Sequence, residues 1–321
     1  MATVTELPLD DIAVRDIGDY RSNSLWRLTL RRLLRQRSAV VGLVILGALV
    51  FLAIFAPVIA PYEPNQSLIG VEDIARRDAP CIHLLGCPAD QPQHLMGVDG
   101  NVRDQFSRII YGTRVSLRVG FITVGFAIIV GTLLGAVAGY AGGWLGDVIM
   151  RVMDVVLAFP FLLLAIAIVS VLGPGLTNAM LAIAIVSIPA YARVIRASVL
   201  SVREYAFIEA SRALGASHFQ ILFGRILPNS LPPLIVQATL GIATAILDTA
   251  ALSFIGLGAQ PPTPEWGAML ASERNQVFSA PHLVFFPGFA IMLTVLAFNL
   301  LGDGLRDALD PRLVHAGVKS E

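Results

Sequence analysis

The sequence predicts an all-α integral membrane protein with six transmembrane helices. Of its 321 residues, 55% are hydrophobic and only 14% are charged, whereas a soluble domain carries about 25% charged residues. The apolar runs reach about twenty residues without the alternation of polar and apolar positions that a strand shows, which favours helices over a closed barrel. The formal net charge is zero, so the composition gives no indication of a nucleic-acid partner.

Six apolar segments define the predicted organisation of the chain. The predicted spans cover about residues 39–60, 119–140, 155–172, 179–200, 234–257 and 283–301. The other predicted parts are a mobile cytoplasmic N-terminus over 1–23, an amphipathic helix that leads into the first span within 24–60, an extracytoplasmic segment over 61–114, a loop over 201–228 inside a membrane domain of 115–302, and a cytoplasmic tail over 303–321.

Arginine is concentrated on the side of the membrane that carries both termini. The stretch before the first span contains five arginines: Arg27, Arg31, Arg32, Arg35 and Arg37. Its leucines can lie on membrane lipid while the arginines reach lipid phosphates, although a helical lead-in to the first span explains the pattern equally well. Short loops rich in Arg face the cytoplasm. We therefore expect a multi-pass protein with both termini and the 201–228 loop in the cytoplasm.

Two helical patterns predict contacts at and within the membrane. Small residues recur every four positions in the second span: Gly131, Gly135 and Gly139. Such a stripe lets another helix approach closely. Three charged residues follow on one helical face: Asp147, Arg151 and Asp154. We expect these three to pair with one another at the inner membrane edge, and a role in transport is the alternative.

The loop at residues 201–228 is too polar to cross a bilayer and has the pattern of a docking element. Three residues fall at helical spacing: Ala210, Ala213 and Leu214. Gly215 can end that helix in a left-handed turn, and Pro228 is expected to close a second short helix. We interpret the loop as a docking element for a soluble partner; an ordinary amphipathic connector is the alternative.

The chain lacks the motif that binds the phosphates of ATP. A P-loop needs a lysine in a glycine-rich turn, and Lys319, close to the end of the sequence, is the only lysine. If ATP drives transport, another chain must bind it, and we expect no cofactor on this one. The five histidines show no metalloprotease spacing, and no Gly-x-Ser-x-Gly elbow occurs. We therefore assign no catalytic residues and expect the chain not to be an enzyme.

Three more residues are candidates for a site. Cys81 and Cys87 are the only cysteines, and a disulfide between them is plausible if the 61–114 segment lies outside the cell. A metal site that uses His83 or His94 is the alternative, although the ligand set is incomplete for zinc. Asp248 is the one clear acid within a span, and such residues face a bundle interior or an aqueous path. It could contact a peptide amino group or form a hydrogen bond in a subunit interface.

An ordered set of motifs resembles one family of transport proteins. Glu209-Ala210-Ser211, followed by Gly215 and Pro228, is similar to the "EAA" loop of bacterial ABC importer permeases. Further motifs look like those of the dipeptide/oligopeptide/nickel permeases, in the "C"-type subunit. They are Asp99, Arg103, Asp104, Ser107, Arg108, Tyr111, Gly112 and Arg114 before the second span, the run 252–258, Pro261-Pro262 with Pro264 and Trp266-Gly267, and the run 299–307.

This resemblance implies a fold, a location, a set of partners and a role for the loop. The fold is that of a type I ABC importer permease in a bacterial cell membrane. The partners are a related B-type permease, two cytoplasmic ATPase subunits that hold ATP and Mg²⁺, and an extracytoplasmic substrate-binding protein. The loop contributes a coupling helix that sits in a groove on an ATPase, with Glu209 and Gly215 in that role and Ala210 and Leu214 packing.

Three departures from the family pattern and several alternatives remain. Ser211 replaces the second alanine of the triplet, Val102 replaces a glycine, and Val98 replaces a threonine. Because Val102 removes a permissive backbone position, we expect the turn before the second span to differ. The resemblance implies import of di- or oligopeptides, with nickel or another small solute as the alternative. An ion-coupled carrier that uses Asp248 is a further alternative, but such carriers contain inverted repeats, and no internal repeat is evident.

Overall fold

The computed structural model describes residues 30–309, and most of these residues are helical. The helices are α1 Arg37–Ile59, α2 Gln105–Ala141, α3 Gly143–Leu157, α4 Phe161–Leu172, α5 Leu176–Val202, α6 Ala206–Ala213, α7 His218–Ile221, α8 Leu227–Phe254, α9 Trp266–Glu273 and α10 His282–Leu309. Pairing of the β type in this part of the chain is limited to three isolated bridges. The prediction of an all-α membrane protein is confirmed.

Five of the helical stretches are long and apolar enough to cross a membrane, and a bent pair makes up to six. The predicted N-terminal segment, 1–23, and parts of the predicted amphipathic stretch and tail lie outside residues 30–309. The first residues of the predicted tail, 303–309, continue α10.

The predicted third span, residues 155–172, is not one straight helix. α3 and α4 meet at an angle of 90°. Pro160 starts α4, where the Leu164 N–H donates to the Pro160 carbonyl, and a proline disfavours a helical residue before it. With twelve residues, α4 is about 18 Å long at 1.5 Å per residue. Because the hydrocarbon core is about 30 Å thick, α4 alone is too short to cross it.

The predicted ion pairs within α3 are wrong. The Asp154 carboxylate lies 2.6 Å from the guanidinium of Arg193 on α5. Within residues 30–309, Arg151 makes no ion pair. Because α3 lies against α5, through a buried cluster that includes Met153 and Ala192, an arginine on the neighbouring helix competes successfully with the one on the same helix.

The glycine stripe on α2 allows close packing against α5. A Cβ atom at Gly131 would stand 2.8 Å from Cβ of Tyr191, and one at Gly139 would stand 2.9 Å from Cγ1 of Val199. A Cβ at Gly135 would collide with the carbonyl of the α5 residue opposite it. The predicted contact is confirmed, and its partner is α5.

The long helix α2 defines two ends of the bundle. Near its first turn, the Ile109 carbonyl accepts a hydrogen bond of 3.1 Å from the indole N–H of Trp266. Near its last turn, the Tyr140 hydroxyl lies 2.7 Å from Nδ1 of His218. We call the first end the cap end and the second the loop end. Residues 60–104, the cap segment, precede α2 at the cap end.

Candidate functional site

The coupling loop, residues 201–228, contains the predicted helix and glycine corner. α6 ends at Ala213, and Gly215 has a φ of +82°. The Ala216 N–H donates to the Ser211 carbonyl at 3.1 Å, and the Gly215 N–H donates to the Arg212 carbonyl at 2.9 Å. These two bonds form a Schellman motif, which satisfies the last carbonyls of α6.

The second half of the loop differs from the prediction, because Pro228 does not close a helix. Ser217 and Gln220 form a capping box that starts α7. The helix then continues through a π-helical segment, Leu222–Ile226, into α8. Pro228 is the second residue of α8, directly after the π-helical segment. The loop therefore feeds directly into a long membrane helix.

The two faces of α6 have different surroundings. Ile208 is fully buried at 0% exposure and Ser211 is buried as well, since residues three apart share a face of a helix. Ala210 is exposed and Leu214 is 88% exposed. Ala210 and Leu214 therefore do not pack within this chain, and their packing against a partner stays a prediction.

Ser211 lies on the buried face of α6, and Glu209 lies on the exposed face. The Ser211 hydroxyl donates to the Phe207 carbonyl at 2.7 Å, so the serine is accommodated at a buried position. Glu209 is exposed. The face that carries Glu209, Ala210 and Leu214 points away from the bundle and is open to another molecule.

Contacts join the loop to three long helices. The hydrogen bond between His218 and Tyr140 connects it to α2. Arg203, just after α5, donates to the Gly139 carbonyl at 3.0 Å. Because α7 leads into α8, the loop is connected to α2, α5 and α8.

Asp248 lies on α8 at the edge of its packed face. Its side chain is half-buried, with buried Thr249 on one side and exposed Leu247 on the other. Within residues 30–309, its Oδ2 atom is buried and has no hydrogen-bond partner. Both interpretations of Asp248, an aqueous path and an interface with a second subunit, fit this position.

Cys81 and Cys87 are joined by a disulfide, with their Cα atoms 5.4 Å apart. Nε2 of His83 lies 2.8 Å from the Gln91 carbonyl oxygen, and His94 contacts two carboxylates. Among the described residues, no group of three or more His, Cys, Asp or Glu side chains could hold a metal ion.

A buried polar network in the cap segment was not predicted. His94 is 3% exposed; its Nδ1 lies 2.7 Å from Asp104 and its Nε2 lies 3.1 Å from Glu72. Asp104 caps α2 by accepting from the Ser107 N–H at 2.7 Å. Asp104 and Ser107 have the spacing of a helix cap, but no spacing in the sequence connects His94 to its partners.

Electrostatics favour the charged form of His94. Burial lowers the pKa of His94, but the hydrogen bonds to Asp104 and Glu72 outweigh burial, so the pKa is raised above its ordinary 6.5. Burial and the hydrogen bond to Glu72 raise the pKa of the Tyr62 hydroxyl to about 12. The two carboxylates therefore favour the protonated form of the imidazole between them, and the neutral form of the tyrosine beside it is favoured as well.

The turn at Val102 keeps the left-handed backbone that a glycine readily adopts. Val102 has a φ of +56°, and its N–H donates to the Asp99 carbonyl at 2.9 Å. The expected difference in the turn is not found at this residue, which is buried with Leu68 and Val98. A left-handed residue costs on the order of 1–2 kcal/mol, which burial of the valine side chain offsets.

Comparison with known proteins identifies the family. Residues 131–315 match the model of the family described as "Binding-protein-dependent transport system inner membrane component". The chain belongs to this family. Residues 24–80 also match the "N-terminal TM domain of oligopeptide transport permease C", so the resemblance seen in the sequence is confirmed.

Curated relatives cover nearly the whole chain. The chain is 50% identical over 294 residues to the dipeptide transport system permease protein DppC of Alkalihalophilus pseudofirmus, covering 92% of each. It is 49% identical to the di/tripeptide transport system permease protein DppC of Pseudomonas aeruginosa, covering 87% of this chain and 90% of the other. It is 45% identical to the glutathione transport system permease protein GsiD of Pectobacterium atrosepticum, covering 92% and 94%.

A solved structure has the same fold. The MetNI methionine ABC transporter, in an inward-facing conformation, contains a chain that aligns with a TM-score of 0.53 and 21% identity. The alignment covers 63% of this chain and 96% of that one. The type I ABC importer permease fold is therefore confirmed for the membrane domain.

Proposed function

We propose that this chain is a permease subunit of an ATP-driven importer and forms half of the path for di- and oligopeptides. The relatives that are 45–50% identical to it are permeases for dipeptides, di/tripeptides and glutathione. These substrates are all short peptides. This shared chemistry carries the proposal.

Energy enters through the exposed face of α6. A chain whose only lysine is Lys319 has no P-loop, so a separate ATPase subunit supplies the hydrolysis. Glu209, Ala210 and Leu214 form the surface that an ATPase contacts, while Ile208 holds α6 on the bundle. Movement of the ATPase then biases two arrangements of the membrane helices.

The complete transporter contains this chain, a B-type permease, two ATPases and a substrate-binding protein. The loop end faces the cytoplasm, and the cap end faces outward. The arginine-rich segments near the loop end support this orientation. The disulfide in the cap segment also supports it, since disulfides persist in oxidising compartments.

Asp248 binds the amino terminus of the passing peptide. The buried Oδ2 atom of Asp248 has no partner among the described residues, and an ammonium group that reaches it from the exposed edge of α8 would supply one. Acids within spans are costly unless they face a path or a partner. This placement supports a role in the substrate path.

The proposal is tested by transport into proteoliposomes that contain both permeases and the two ATPases. With ATP and the binding protein supplied on their respective sides, we expect uptake of a labelled dipeptide. Complexes with an ATPase subunit that cannot hydrolyse ATP serve as the control and should show none. Uptake of Ni²⁺ but no peptide would refute the substrate class, and uptake by the isolated chain down an ion gradient would refute the ATP-driven mechanism.

A further inference from the structure

Two leucines stand out of the cap segment into solvent. Leu84 is 94% exposed and Leu85 is 79% exposed. They lie in a 3-10 turn, His83–Leu85, within the loop that the Cys81–Cys87 disulfide closes. We call residues 82–86 the apolar tip. Exposed leucines are unfavourable in water by about 25 cal/mol per Å² of apolar surface, so a partner that covers both of them gains free energy.

The base of the apolar tip is rigid. The Cys81 N–H donates to the His94 carbonyl at 2.9 Å, and the His94 N–H donates to the Cys81 carbonyl at 3.1 Å. The His94 side chain is in turn held by Asp104 and Glu72. The disulfide and this backbone pair restrain the leucines from folding back onto the segment. A partner that binds them therefore loses little entropy in ordering the loop.

The surface beside the apolar tip is acidic. A cavity of about 360 Å³ lies there, lined by Asp73, Asp78 and Asp90 together with Cys81 and His94. Within residues 30–309, no Arg or Lys lines this cavity, and none of the three aspartates forms an ion pair. A negative surface disfavours an anionic bilayer and favours a partner with basic side chains.

We propose that the apolar tip and the acidic cavity dock the substrate-binding protein. The partner surface has an apolar socket for Leu84 and Leu85, flanked by Arg or Lys side chains that face the cavity. This inference rests on the proposed function, and the family to which the chain belongs is one of binding-protein-dependent transport. It adds the site on this chain and the chemistry of the partner surface.

The test measures affinity between the binding protein and the complete transporter in nanodiscs of neutral lipid. Changing Leu84→Ser together with Leu85→Ser should raise the Kd at least tenfold. The matched control, Leu84→Met with Leu85→Met, keeps the apolar surface and should stay within about threefold of the wild type, since such swaps conserve volume and apolar character. ATPase activity without binding protein should be unchanged in both, which shows that the assembly is intact.

A second set of variants tests the negative charge of the acidic cavity and the disulfide that closes the apolar tip. Asp73→Asn with Asp90→Asn should raise the Kd at low salt and flatten its dependence on ionic strength. Cys81→Ser with Cys87→Ser should weaken binding, and a reducing agent should have the same effect on the wild type.

The outcomes separate this inference from the proposed function. A wild-type transporter that binds no binding protein would overturn both. A wild type that binds, together with a serine variant of equal affinity, would overturn only the docking site. Equal losses of affinity for the binding protein in the serine and methionine variants would also overturn the docking site. So would a serine variant that loses affinity for protein-free vesicles but keeps its affinity for the binding protein.

Discussion

Ile208 anchors the coupling helix, so its truncation should loosen α6 without altering the surface offered to an ATPase. Ile208 is fully buried and belongs to the same apolar cluster as Val202, Ile221 and Ile226. Ile208→Ala removes buried methyl groups and leaves a cavity. Leu214→Ala is the matched control, because Leu214 is 88% exposed and its truncation creates no cavity.

The magnitude follows from the burial. Truncation of a buried Leu or Ile to Ala costs about 2–5 kcal/mol, and the lower part of that range, about 2–3 kcal/mol, applies to a short surface helix that can relax. Since each 1.4 kcal/mol is a factor of ten, local opening of α6 should become about 30- to 140-fold more frequent. Hydrogen exchange of the amides in α6, measured by mass spectrometry on the chain without the ATPase, reports this opening.

The two variants should have opposite profiles. Ile208→Ala should speed exchange in α6 and reduce peptide uptake per ATP hydrolysed. Leu214→Ala should leave exchange in the isolated chain unchanged and weaken binding of the ATPase. Unchanged exchange in Ile208→Ala, or equally fast exchange in both variants, would refute the assignment of the inward and outward faces.

Three further predictions concern the left-handed corner at Gly215, the acid Asp248 in the membrane and His94 in the cap segment. Gly215→Val places a β-branched residue at a φ of +82° and should destabilise the corner by about 1–2 kcal/mol. Peptide uptake should therefore fall in Gly215→Val, whereas Gly215→Asn should retain most of the uptake. Equal uptake in the two variants would contradict the role of the left-handed turn. Asp248→Asn should raise the KM for peptides with a free amino terminus at least tenfold and leave the KM for N-acetylated peptides unchanged; equal shifts would argue for a subunit interface instead. Because the pKa of His94 is raised above 6.5, its charged form stabilises the cap segment below that pH, and this contribution is lost as the pH rises through the raised pKa. Proteolysis of the cap segment should therefore accelerate with rising pH. His94→Gln, which cannot gain charge between Glu72 and Asp104, should abolish this pH dependence. If the variant keeps the wild-type pH profile, His94 is not the source of the pH dependence.

The sequence by itself determined the class of protein, the approximate spans and the location of the coupling loop. These follow from local properties: the length of apolar runs, the spacing of glycines, and a left-handed corner at Gly215. The family motifs also identified the transport system, because the loop motif and its companions occur in a characteristic order.

Tertiary structure decided the features that depend on which helix lies beside which. Asp154 pairs with Arg193 rather than Arg151 because α5 brings a second arginine within reach. Leu214 is exposed and Ile208 is buried because helical spacing defines faces but does not say which face meets the bundle.

The same reason applies at the cap end. His94 and Asp104 meet only after the chain folds back on itself, and the Val102 side chain is buried in the turn by Leu68 and Val98. Local pattern indicates what a segment can form, whereas long-range contacts decide which of its surfaces remain free for a partner.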